Sequence, residues 1–427
     1  LSLFEIVAVL LTLAALFAWL TATFTRLPHN VGLLVMALAA SLVLVGLQLL
    51  NPDSEILIDL SREIAEIDFS ETLLHGMLGF LLFAGALQVD LGLLRDRAWS
   101  VGLMATLGVL ISTVVIAAGF WGAGQIFGYP LSFAWCLVFG ALISPTDPIA
   151  VLAILKTAGV PRTLEMDMAG ESLFNDGVGV VLFTILLSAA ITGGENGIDF
   201  IEIGRLFFAE ALGGVALGLF TGLIAYLAMR RVDDYPIEVL ISLALVTATY
   251  ALAIHLHISG PIAVVVAGVF IGNRGAARAM SETTREHLFD FWNLIDEILN
   301  SVLFLLIGLE VLVLQFDMAF APLAAAALPV VLFGRFSAVA LSVLVLSRWT
   351  SFTRGTVPIL TWGGVRGGIS VALALSIPNV TEKPAILAAT YLVALFTIVV
   401  QGLTLSRVIH WMDIERAPMR KTKSGAS

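Results

Sequence analysis

Two short segments hold most of the chemistry in this chain. Glu171-Ser-Leu-Phe-Asn175-Asp176 puts two acids, a serine and an asparagine within six residues of an otherwise apolar run, Met168 to Ile191. Ser144-Pro-Thr-Asp-Pro148 puts a third acid, Asp147, between two prolines inside another apolar run. An aspartate at bilayer depth costs roughly 2.5–3.5 kcal/mol on insertion scales, so chains that keep one there use it to handle an ion or a proton. Each proline lacks an N–H and disfavours helix in the residue before it. The Ser144–Pro148 segment is therefore expected to unwind and free its carbonyls, which hydrocarbon tolerates only if something satisfies them. A desolvated monovalent cation would do so.

Helical spacing sorts the second segment. Ser172 and Asp176 are four apart and share a face, as do Glu171 and Asn175 on the neighbouring face. Asp147 and Asp176 fall roughly 12–14 Å from one end of their spans at 1.5 Å per residue. Two carboxylates, the Ser172 hydroxyl and a Thr146 oxygen form a hard oxygen set suited to an alkali cation, with too few carboxylates for a divalent one. Arg366, between glycine pairs in Gly363-Gly-Val-Arg366-Gly-Gly368, is a buried cation that needs a partner. Glu171 is the expected partner; the alternative is that Arg366 compensates the dipole ends of broken helices. Asp296, Glu297 and Asn300 read equally as the lining of a funnel or as ordinary interfacial charges.

Positioning these groups takes a polytopic helical membrane protein. The 427 residues are 59% hydrophobic and 13% charged, with a mean hydropathy of +1.01, too little polar surface to cover a soluble globule. Thirteen spans are expected, near 2–24, 31–50, 72–89, 100–120, 131–156, 168–192, 203–230, 236–256, 259–274, 288–315, 321–347, 355–377 and 382–410. Of 22 Lys and Arg, seventeen follow odd-numbered spans, three follow even-numbered ones, and Arg335 and Arg366 lie inside spans. By the positive-inside rule the N-terminus faces outside and the C-terminus the cytoplasm. The first apolar run reads as a retained helix. The acids between Asn51 and Glu71, seven from Asp53 onward, read as the polar face of an outer amphipathic helix. One cysteine, Cys136, excludes an intramolecular disulfide. Nothing resembles a nucleotide-binding loop, and no nucleic-acid partner is expected.

Breaks at Ser144–Pro148 in span 5 and at Gly363–Gly368 in span 12 lie seven spans apart. So do Leu82-Phe-Ala-Gly85-Ala-Leu-Gln-Val and the similar Leu305-Leu-Ile-Gly308-Leu-Glu-Val in spans 3 and 10. An odd offset inverts topology, which gives inverted repeats with the substrate site at the paired breaks.

Four stretches carry a family resemblance: Gly140-Ala-Leu-Ile-Ser-Pro-Thr-Asp-Pro-Ile-Ala-Val151, Gly170-Glu-Ser-Leu-Phe-Asn-Asp-Gly177, Ser259-Gly-Pro-Ile-Ala-Val-Val-Val-Ala-Gly268 and Trp362-Gly-Gly-Val-Arg-Gly367. Together they resemble the cation:proton antiporter family of prokaryotic and animal sodium/proton exchangers. The resemblance implies an all-α fold of thirteen transmembrane helices, with broken helices 5 and 12 crossing at the midplane, and a homodimer in the cell membrane. It implies exchange of Na⁺ (or Li⁺, K⁺) for H⁺, with no cofactor and no enzymatic activity. Asp176 would be the central carrier, Asp147, Thr146 and Ser172 would join it around Na⁺, and Glu171 and Arg366 would form a structural ion pair. Asn175, where electrogenic relatives carry a second acid, implies an electroneutral exchanger. Many members carry an acid where this chain has Ala84. The single domain, 1–427, is expected to divide into an ion-binding core, about 72–192 and 288–410, and a scaffold, about 1–50 and 203–274. A K⁺/H⁺ antiporter and, outside the class, a cation channel stay open as alternatives; a channel would need rings of ligands rather than one carboxylate site.

Overall fold

A computed structural model describes residues 3–25, 27–51, 72–147, 149–192, 200–310, 318–350, 352–353 and 355–412. Every described element is helical, and each of the thirteen expected spans has a counterpart. Helices α1 (Leu3–Phe24) and α2 (His29–Leu50) come first. A π-helical turn, Thr72–Met77, leads into α3 (Leu78–Leu87). In α4, Leu91–Leu103 continues through a π turn, Met104–Gly108, into Val109–Phe127. Helix α5 is in two halves, Phe133–Ile143 and Ile149–Ala158. Then come α6 (Arg162–Thr192), α7 (Phe200–Met229), α8 (Tyr235–His255), α9 (Gly260–Phe270), α10 (Glu282–Glu310) and α11 (Ala321–Leu346). Helix α12 is again in two halves, Thr356–Trp362 and Gly368–Ser376. In α13, Lys383–Phe396 and Gly402–Trp411 flank a π turn at Thr397–Gln401. Ten of these helices, α9 with its continuation to Arg278, are long and apolar enough to cross a membrane; α3 is shorter, and α5 and α12 are each in two pieces. The amphipathic outer segment, Arg26, Pro148 and the basic tail fall outside the described residues.

Local chemistry sets the ends. Ser132 and Ser259 accept hydrogen bonds from the backbone N–H three residues on, at Trp135 and Ile262, and so cap α5 and α9. Asp234 caps α8 in the same way through Ile237, with Pro236 in the first turn. Gly128, at φ 78°, closes α4 in the left-handed conformation that costs glycine little.

Some boundaries depart from the hydropathy reading. Helix α6 begins at Arg162, six residues before the expected 168, because hydropathy stops at the polar Arg162, Glu165 and Asp167 while the backbone hydrogen bonding does not. Asp176 therefore lies fourteen residues, about 21 Å, from the start of its helix, which is longer at that end than its apolar run. Helix α10 likewise begins at Glu282 rather than 288. Both helices run beyond their apolar stretch at the end where their polar residues lie.

Helices α6 and α5 pack on each other, α11 lies against α4 and α13, and α10 lies against α2 and α3. One large apolar cluster runs through α4, α5, α11, α12 and α13. A second joins α3 with α8, α9 and the first half of α10 around the buried Trp292, whose Nε1 donates to Ser242 at 2.9 Å. The breaks in α5 and α12 lie between α6, α10 and α13.

Candidate functional site

The two broken helices meet at their breaks. The Asp147 N–H donates to the Val365 carbonyl at 2.8 Å, so unwound backbone of α5 bonds unwound backbone of α12. Arg366 donates from Nη1 to the carbonyls of Ser144 and, at 2.9 Å, Pro145. Those carbonyls belong to the C-terminal end of the first half of α5, which carries partial negative charge and has lost its helical donors. The Arg366 N–H donates to Thr397 Oγ1 at 3.0 Å, at the π turn of α13. Arg366 is 1% exposed, and its Nε and Nη2 have no hydrogen-bond partner among the described residues. The backbones come very close. A Cβ added to Gly367 would stand 2.6–3.0 Å from the Asp147 side chain, so only glycine permits this crossing.

Helix α6 grips the α5 break at Thr146. Thr146 donates its N–H to Asn175 Oδ1 at 3.3 Å, and Asn175 Nδ2 donates to Thr146 Oγ1 at 3.0 Å. The Ser172 hydroxyl donates to the Thr146 carbonyl. Asn175 and Ser172, on neighbouring faces of α6, thus grip all three polar groups of Thr146. The Ser144 hydroxyl bonds the Gly140 carbonyl at 2.6 Å, which satisfies one more acceptor near the break.

A cavity of about 460 Å³ reaches this crossing. Asp147, Asp176, Pro145 and Gly367 form its deep wall, and Glu165, Asp296 and Asn300 line it as well. Exposed Gln88 and half-buried Val89, at the end of α3, mark its rim. Among the described residues, four acids line the cavity, and no lysine or arginine does. Helix α3 contributes Leu81, Leu82, Gly85, Gln88 and Val89 but no acid; Ala84 is buried away from it. Asp147 is half-buried, while Asp176, Ser172 and Thr146 are buried. The four residues expected around the ion thus come together, two with carboxylates on the cavity and two, Ser172 and Thr146, engaged with each other behind it.

The expected Glu171–Arg366 pair is corrected. Glu171 is held by Arg335 of α11, Nη1 to Oε1 and Nη2 to Oε2, the second at 2.9 Å. Arg335 also donates from Nε and Nη2 to the Leu360 carbonyl at 3.2 and 3.1 Å. A fork of this kind joins α6, α11 and the end of the first half of α12. Arg366 takes the other role considered for it, at the carbonyl ends of α5. The signal for Arg335 was present, since it and Arg366 are the two basic residues inside spans; sequence gave no means of choosing between them. A second pair joins α4 to α6. Arg97 of α4 reaches Asp167 of α6 at 3.4 Å and lies 5.8 Å from the centre of the Phe352 ring. The polar start of α6, lost to the hydropathy reading, hid it.

The profile of the sodium/hydrogen exchanger transmembrane family matches residues 10–411. The chain belongs to that family. It is 47% identical over 410 residues to the Na⁺/H⁺ antiporter NhaP of Pseudomonas aeruginosa, covering 95% of this chain and 96% of that protein. It is 37% identical to the Na⁺/H⁺ antiporter NhaH of Halobacillus dabanensis, covering 86% and 90%. The solved structure of the sodium proton antiporter MjNhaP1 from Methanocaldococcus jannaschii at pH 8 superposes with a TM-score of 0.73 at 18% identity, covering 96% and 98% of the two chains, and so shares its fold. Family membership makes the chain a transporter and not an enzyme.

The pairing of Glu171 with Arg335 sets an expected outcome. Removing either partner leaves an uncompensated buried charge, which costs about 3–5 kcal/mol. In melting experiments on detergent-solubilised protein, Glu171→Ala and Arg335→Ala should each be strongly destabilised, and the double variant should lose much less than the sum. The coupling of Glu171 to Arg335 should exceed its coupling to Arg366; equal or reversed couplings would contradict the assignment.

Proposed function

We propose that the chain is a secondary antiporter that exchanges Na⁺ (or Li⁺) for H⁺, one for one, across the cell membrane. The observation that carries this reading is that Asp147 and Asp176 share one cavity wall at the crossing of two broken helices. A carboxylate there binds either a proton or a cation, and both loaded states lower the charge to be moved. Na⁺ would be held by Asp176 and Asp147, with Ser172 and Thr146 turning oxygens toward it. Asn175 supports this set by fixing Thr146. The exchange named for the NhaP and NhaH relatives agrees with this chemistry.

The cavity would face the cytoplasm, because it opens at the end of α3 and the start of α6, where Arg97 and Arg162 lie. The N-terminus is then outside. Transport by alternating access would move the core, about 72–192 and 288–410, against a scaffold, about 1–50 and 203–274, in a homodimer. The Glu171–Arg335 fork and the Arg366 contacts hold α6, α11 and both breaks as one body, which suits a moving core.

Asp176→Asn in proteoliposomes should abolish Na⁺-driven proton flux while the protein still elutes as a folded species. An amide neither carries the proton nor neutralises the cation. Asp147→Asn should be nearly as severe, whereas Ser172→Ala should chiefly weaken apparent cation affinity. Robust exchange by folded Asp176→Asn protein would refute the mechanism.

Stoichiometry gives a separate check. Asn175 does not titrate, so the position before Asp176 offers no second proton carrier. With voltage clamped by K⁺ and valinomycin, once K⁺ has been shown not to be a substrate, the equilibrium Na⁺ ratio should equal the H⁺ ratio. Voltage alone should drive no Na⁺ flux; a voltage-driven flux would show more than one proton per cation.

A further inference from the structure

Helix α10 carries two polar residues, Asp296 and Asn300, that the exchange site does not use. They stand one turn apart, and both line the cavity that reaches Asp147 and Asp176. Asn300 donates from Nδ2 to the Asp296 carbonyl at 2.8 Å and to Asp296 Oδ1 at 3.1 Å. These bonds commit the amide donors to the helix and fix the amide so that Oδ1 is its free acceptor. Asn300 is 1% exposed, yet that Oδ1 has no hydrogen-bond partner among the described residues. A buried acceptor without a donor is costly unless a water or a cation takes the place. Beside it stands the half-buried Asp296 carboxylate, already oriented by the same amide.

We propose that Asp296 and Asn300 form a second cation station on the cavity wall, where a partly hydrated monovalent cation rests before it reaches Asp147 and Asp176. This rests on the exchange reading above. One carboxylate and one amide oxygen are too few for a divalent ion, which collects six or more oxygens and more than one carboxylate. They suit an alkali cation that keeps part of its water, and the cavity is roomy enough for that water. The four acids among the described residues of the lining concentrate cations at the same place. The station would act on capture: it raises local cation concentration beside the carrier without taking part in the proton exchange itself.

The test separates capture from turnover. Na⁺-driven proton flux is measured in proteoliposomes of wild type, Asp296→Asn, Asn300→Ala and Asp296→Glu. The first two variants should need about three- to tenfold more Na⁺ for half-maximal rate, with the maximal rate within about twofold of wild type, and Asp296→Glu should recover most of the affinity. In crystals of wild-type protein and of Asp176→Asn soaked in thallium(I), an anomalous peak should stand beside Asp296 and Asn300 in both. Unchanged half-saturation in folded variants overturns the station, as does a fall in maximal rate at unchanged half-saturation. Should the variants fail to fold, the wild-type thallium(I) crystals decide: no peak beside Asp296 overturns it. Absence of Na⁺-driven flux in wild type would refute the exchange reading itself.

Discussion

Two helices that end inside a membrane must find partners for their bare backbone groups, and in this protein each supplies the other. Hydrocarbon offers no water to a free carbonyl or N–H, so a broken helix survives there only where protein or a polar cavity satisfies it. The Asp147 N–H bonds the Val365 carbonyl, and Arg366, two residues before α12 resumes, bonds the carbonyls that α5 leaves open. One break thus provides the donors that the other lacks. Had either helix run unbroken, the other would bury several orphaned groups. Gly367 makes the arrangement sterically possible, because any side chain there would occupy the space of Asp147.

This mutual dependence places the ion chemistry. Asp147 sits in the unwound segment, where its backbone is tied down and its carboxylate reaches the cavity. Asn175 and Ser172 take the polar groups of Thr146, so α6 is registered against the break at the level of Asp176. Glu171, one residue from Ser172, is locked by Arg335 to α11 and to the Leu360 carbonyl. Each of the polar groups of Glu171-Ser-Leu-Phe-Asn175-Asp176 therefore has a distinct task. Glu171 anchors the helix, Ser172 and Asn175 hold the break, and Asp176 faces the cavity. Under the exchange reading, Asp176 would change its occupant while the Glu171–Arg335 and Asn175–Thr146 bonds stay in place.

Much of this could be read from residue order. The paired breaks announced themselves through Pro145 and the glycines around Arg366, and the thirteen spans through hydropathy. The i, i+4 spacing pairs Ser172 with Asp176, whereas in the structure Ser172 joins Asn175 on Thr146 and Asp176 lines the cavity. What could not be read was partner choice across space. Arg335 and Arg366 are both lone cations in apolar helices, and only the three-dimensional path of α11 decides that Arg335 meets Glu171. Nor does hydropathy follow a helix past the hydrocarbon, so the first turns of α6 and α10 were lost, and with them the Arg97–Asp167 contact. For Asp296 and Asn300 the spacing alone left lining and interface equally open. Their place on the cavity wall depends on how α10 packs against α3.

The central claim is that one carboxylate site at this crossing serves proton and cation in turn. The most direct measurement is the Na⁺ concentration for half-maximal exchange as a function of pH, on purified protein in proteoliposomes. Competition for a single site predicts that apparent Na⁺ affinity weakens about tenfold for each unit of pH on the acid side of the carrier's pKa, and levels off above it. A half-saturating Na⁺ concentration that stays constant across that range would mean that proton and cation travel on separate sites, and would contradict the account.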